Sequence, residues 1–130
     1  MSHRSLIVAA CAGLVLAGTL ARTLAANARA AETPLEHGRY LVQRVGMCAD
    51  CHGPGLRGAT LAFLAPGLPP AVARKAPRIT GLPDLSSAQA VHYFETGLLP
   101  TGRQARPPMP AIRLHQDDAE AITAYLKSLH

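Results

Sequence analysis

A chain of 130 residues suits one domain, and its two phenylalanines, three tyrosines and absence of tryptophan leave little aromatic mass for a core. Thirteen basic against eight acidic side chains give a formal charge of +5, but Arg4, Arg22 and Arg29 lie in an N-terminal segment with the marks of a removable signal. Without that segment the charge is +2, so nucleic-acid binding gains no support from it.

Residues 1–30 are predicted to be an export signal. Met1 to Ser5 carries Arg4, and Leu6 to Ala21 is an apolar to weakly polar run of sixteen. Ala28-Arg29-Ala30 then places small residues where a signal peptidase reads, with cleavage after Ala30. An uncleaved membrane anchor is the other reading, although sixteen residues fall short of the roughly twenty that span a bilayer. Val8-Ala9-Ala10-Cys11 resembles a lipoprotein box, yet too few apolar residues precede Cys11. Cleavage leaves residues 31–130 as the domain, outside the cytoplasm, with one cysteine pair.

The first predicted helix opens at Thr33-Pro34-Leu35-Glu36, which combines a capping threonine, a proline at the first helical position and a capping-box glutamate. Gly38, Leu41, Val42 and Val45 share one face, and the helix runs on to Cys48 near its end. Gly38 either admits a second helix at close range or is an indifferent surface glycine. Cys48-Ala49-Asp50-Cys51-His52 follows. Thiols three positions apart can add across the two vinyl groups of one haem, and a histidine directly after the second can ligate the iron. A haem would also supply the aromatic bulk that the chain lacks. Three rivals stay open on the residues alone. Cys-x-x-Cys serves thiol–disulfide exchange, but no strand pattern precedes Cys48. A zinc site could combine Cys48, Cys51 and His52 with a distant His92 or His115. A structural disulfide between Cys48 and Cys51 is the plainest alternative.

Gly53 to Leu85 contains six prolines and five glycines, too long and broken a connection for a domain with nothing to wrap. Within it Leu61 to Leu68 is apolar but has no assignable position. The second helix starts at Ser86, with Gln89 completing a capping box, and runs through Ala90, Val91 and Phe94 to a stop at Gly97. The third is predicted to begin at Asp117, with Glu120 three residues later. It presents Ala119, Ile122, Leu126 and Leu129 on one face, with Tyr125 at the edge and Lys127 favouring the C-terminal end. No strand alternation is evident, so the chain reads as an α protein. A second, distal haem ligand is sought among three methionines. Met1 leaves with the signal and Met47 is tied to the side of Cys48. Met109 remains, in Arg106-Pro107-Pro108-Met109-Pro110, where three prolines stiffen the loop. A methionine filling a core gap is the alternative, and His92 and His115 are rival ligands.

In this order, helix, Cys-x-x-Cys-His, Gly/Pro-rich loop, middle helix, Pro-Met-Pro loop and a last helix ending Ala124-Tyr125-Leu126-Lys127-Ser128-Leu129 resemble class I cytochrome c. The likeness covers residues 34–130 and is particularly to small bacterial periplasmic monohaem cytochromes and the cytochrome subunits of dehydrogenases. It implies an all-α cytochrome c fold, with three main helices and long Gly/Pro-rich loops around one covalent haem c. The first and last helices would cross through Gly38, Leu41, Tyr125 and Leu126. The Pro-rich stretch 54–83 departs from the shortest members, which leaves its path open.

Cys48 and Cys51 are then the covalent haem attachments, and His52 and Met109 the proximal and distal iron ligands. Iron satisfied on both faces suits one-electron transfer rather than catalysis. The chain is expected to be a periplasmic carrier serving redox protein partners, between a dehydrogenase or respiratory complex and an acceptor. No nucleic acid is expected as a partner, and a membrane only if the N-terminal segment stays uncleaved. A haem enzyme or ligand sensor with an open sixth position is the alternative, ahead of a zinc or thiol-redox protein. Arg74, Lys75, Arg78, Arg103, Arg106 and Arg113 read as solvated surface or as contacts to propionates or an acidic partner.

Overall fold

The structure is a computed structural model, described here over residues 32–130. The predicted export segment, with Cys11, lies outside the described residues. Among those residues the elements run α1 (Pro34–Tyr40), a wider turn over Leu41–Val45, α2 (Ala49–His52), a tight turn over Pro54–Leu56, β1 (Ala59–Thr60), β2 (Lys75–Ala76), α3 (Ser87–Thr96) and α4 (Gln116–Ser128). β1 and β2 pair antiparallel, Ala59 opposite Ala76 and Thr60 opposite Lys75. A ladder of two residues is too short to leave an alternating pattern, and apart from a bridge between Leu98 and Gln104 the remaining regular structure is helical. None of these helices is long and apolar enough to cross a membrane.

The capping signals act as the sequence predicts. Thr33 accepts from the Glu36 amide while Glu36 reaches back to the Thr33 amide, and Ser86 and Gln89 do the same at α3. These side chains satisfy amides that the first turn of a helix otherwise leaves open. Gly97 closes α3 in the left-handed conformation, at φ 75°, with its amide on the Tyr93 carbonyl. α4 differs from expectation. It starts at Gln116, with His115 in the cap position and no side-chain cap. The extended His115 backbone already gives its carbonyl to the Ala119 amide at 3.0 Å, which places Asp117 and Asp118 inside the first turn. There they complement the helix dipole.

α1 and α4 cross at Gly38. A Cβ placed on Gly38 would lie 2.0 Å from the Ala121 carbonyl oxygen and 2.9 Å from the Tyr125 Cβ, so the indifferent-surface reading fails. The backbones touch because no side chain stands between them. His37 Nε2 meets Asp118 Oδ1 at 2.6 Å on one flank, and Gln43 Nε2 donates to the Tyr125 hydroxyl at 2.7 Å on the other. Val42 and Leu126 are the largest fully buried side chains, in a core with Leu56, Leu82, Ala90, Tyr93, Phe94, Ala119 and Ile122. Tyr93 and Phe94 meet edge to face, with centroids 5.3 Å apart.

Two details of the first helix are corrected. Val45 is 55% exposed, not on the buried face with Gly38 and Val42. The turn over Leu41–Val45 closes on the Gly46 amide, bonded five residues back to Leu41 at 2.7 Å, and the extra residue rotates Val45 away from the core. The helix therefore ends before Cys48, which instead caps the separate short helix α2.

Candidate functional site

The chain reverses into the cysteine motif through Met47, a non-glycine residue at φ 43°. That conformation costs about 1–3 kcal/mol and persists only where its surroundings fix it. Here the Cys48 amide bonds the Val42 carbonyl at 3.0 Å and the Asp50 amide bonds the Met47 carbonyl at 3.0 Å. Cys48 and Cys51, three apart around the start of α2, fall on one side of it. Both are free thiols and half-buried, so no disulfide joins them. Burial pushes the Cys48 thiol up from its ordinary range, with the neighbouring Cys51 adding in the same direction against a backbone hydrogen bond.

His52 is 7% exposed, and its Nδ1 lies 2.8 Å from the Pro77 carbonyl oxygen. A carbonyl only accepts, so Nδ1 carries the proton and the Nε2 lone pair is left for a metal. Pro77 follows directly on β2, whose ladder with β1 sets its position. Sequence reasoning missed this partner, because a backbone carbonyl carries no residue-type signal.

Met109 is half-buried and packs against the same apolar cluster as Cys48. Its loop is fastened from outside. The Met109 amide bonds the Arg106 carbonyl at 3.2 Å, and the Pro107 carbonyl accepts from the Ala73 amide at 2.7 Å. The rival ligands are elsewhere: His92 is exposed on α3 and His115 is exposed at the start of α4. Among the described residues no group of three or more His, Cys, Asp or Glu is gathered to hold a metal ion. A zinc site recruiting either histidine to the cysteine pair thus has no structural support.

Three of the basic side chains read as solvated surface or partner contacts serve the fold. Arg74 donates to the carbonyls of Ala65, at 2.9 Å, and Leu68, at 3.3 Å. Arg78 binds the carbonyl and hydroxyl of Thr80. Arg106 donates to the carbonyls of Pro70, Ala71 and Val72. Lys127, read as a helix-dipole charge, holds the carbonyls of Leu82 at 3.0 Å and Leu85 at 2.6 Å. The apolar stretch 61–68 forms no helix: Leu61 is buried and Phe63 is 64% exposed.

Two thiols on one short turn, a neighbouring imidazole with its tautomer fixed, and a thioether on the same apolar cluster make a donor set that fits a covalently held haem. The pattern of the cytochrome c family matches residues 36–130, and the chain belongs to that family. It is accordingly a c-type cytochrome domain, carrying covalently bound haem c and working in haem-based electron transfer. A diheme cytochrome c-type protein of Cereibacter sphaeroides is 35% identical over 102 residues, 71% of this chain and 34% of the relative. The chain thus spans about a third of that relative's length. No solved structure matches it significantly.

Proposed function

We propose that this domain is a one-electron carrier with a single haem c, joined through Cys48 and Cys51 and ligated by His52 Nε2 and Met109 Sδ. The observation that carries the reading is the 2.8 Å bond from His52 Nδ1 to the Pro77 carbonyl, which leaves the lone pair of the other ring nitrogen available to a metal. Each thiol adds across one vinyl group: the S–H bond breaks, a C–S and a C–H bond form, and no oxidant is consumed. One Cys-x-x-Cys-His run in the chain supports one haem. When bound, the haem supplies a centre that gains and loses one electron. The protein's part would be to hold the haem through the His52 imidazole and the Met109 thioether, exclude water with its apolar cluster and favour the reduced state.

Export through residues 1–30 would deliver the carrier to the periplasm, where covalent attachment prevents haem loss. Redox proteins such as a dehydrogenase, a respiratory complex or another cytochrome are its partners. In this reading the domain carries electrons and leaves catalysis to those partners.

The test is expression with a haem-attachment system, followed by carbon monoxide addition to the reduced protein. A spectrum unchanged on fast mixing is the expected result. Rapid binding would overturn the closed axis and identify an open sixth position. Met109→Ala should lower the reduction potential substantially, and an unchanged potential would place the ligand elsewhere.

A further inference from the structure

The segment from Leu61 to Pro77 touches the surroundings of both proposed axial ligands. At its end, the Pro77 carbonyl accepts the hydrogen bond from His52 Nδ1. In its middle, four consecutive residues bond the Met109 loop: Pro70, Ala71 and Val72 give their carbonyls to the Arg106 guanidinium, and the Ala73 amide donates to the Pro107 carbonyl. Between these points Arg74 pins the carbonyls of Ala65 and Leu68, and the Leu61 amide bonds the Arg74 carbonyl at 2.9 Å. The β1–β2 ladder then leads directly to Pro77.

An exposed arginine ordinarily does little for a fold. Here one planar fork collects three successive carbonyls, each a charge-assisted hydrogen bond, three residues before Met109. The proline rings around Met109 stiffen its loop internally but do not by themselves tie it to residues 70–73. Arg106 and the Ala73–Pro107 bond supply that attachment.

We infer that Arg106 is a positioning residue for the Met109 thioether, clamping the Met109 loop to residues 70–73 so that one strap, residues 61–77, fixes both axial positions. The inference rests on Met109 being the distal ligand. Loss of the clamp raises the population in which Met109 is detached and leaves His52 with its Pro77 partner. The rate at which an external ligand enters scales with that open population.

The holoprotein tests this through two readouts: the thioether-to-ferric-iron charge-transfer band in the far red, and carbon monoxide binding to the reduced form. Arg106→Ala should weaken the band and bind carbon monoxide at least about tenfold faster, with helical circular dichroism and covalent haem content unchanged. Arg106→Lys should fall between, since an ammonium can hold two carbonyls, as Lys127 does, but lacks the planar fork. Arg44→Ala, at an exposed position outside the clamp, should match the wild type. A wild-type band and binding rate in Arg106→Ala would overturn the clamp, as would changes that appear only with global unfolding. If Arg106→Ala does not fold, Arg106→Lys decides, and wild-type behaviour there overturns the clamp. A wild-type protein without the thioether band would instead overturn the ligand assignment, and the clamp with it.

Discussion

The α1–α4 pair and the long connection from Gly53 to Leu85 are held by opposite means. The helices meet through absence: Gly38 removes a side chain, backbones touch, and buried Val42 and Leu126 complete an apolar seam. The connection is held by cations and an imidazole reaching for backbone carbonyls, with Arg74, Arg78, Arg106, Lys127 and His52 as donors. Six prolines remove six amide donors from this stretch, and side chains satisfy part of its carbonyls instead. Packing therefore specifies the first region, and directional hydrogen bonds specify the second, the one that adjoins both proposed ligands.

Four substitutions sharpen that contrast. Gly38→Ala should destabilise by about 3 kcal/mol in urea unfolding, the upper end for an overpacked site. The helix propensity of alanine alone would have stabilised by about 1 kcal/mol, so the sign identifies the crossing. Lys127→Met strands the carbonyls of Leu82 and Leu85. It should cost about 2 kcal/mol and speed amide exchange around residues 80–86 more than in α1. Thr123 sits 3% exposed on α4 with a hydroxyl lacking a partner among the described residues. Thr123→Val should raise stability by about 1 kcal/mol, and a loss would reveal an unseen partner.

Thr33→Ala is the smallest, about 0.5–1 kcal/mol by thermal unfolding. Hydrogen bonds donated to it by Thr33, first from the backbone amide and then from the hydroxyl, hold the Glu36 carboxyl below its ordinary value. A lowered folded-state pKa contributes stability above the unfolded value, lost as pH falls through the folded one. The difference between wild type and variant should accordingly shrink in acid. A difference that grew there would contradict the capping box.

What the sequence disclosed follows the same division. Thr33 with Glu36, Ser86 with Gln89 and the Gly97 stop rely on partners within four residues, and local spacing reveals them. Gly38 was legible only as a choice between two readings, because its meaning lies in Ala121, far along the chain. Cys48, Cys51 and His52 stand out because thiol and imidazole are rare and their spacing is chemically restrictive. Pro77 and the clamp on Arg106 were hidden, since carbonyl acceptors belong to every residue and the loop path sets which ones are used. The displaced start of α4 has a related cause: His115 takes the cap position through its backbone alone, while Asp117 and Asp118 offer the better side chains.

The crossing at Gly38 also bears on the order of assembly. His37 and Asp118 are 81 positions apart, and Gln43 and Tyr125 are 82 apart, so α1 closes almost the whole domain into one loop. A seven-residue helix has little stability of its own in water. Until α4 has been synthesised, α1 has no partner helix to pack Gly38 against. The Cys48–His52 turn just after it consequently stays open to modifying enzymes until the last helix is made.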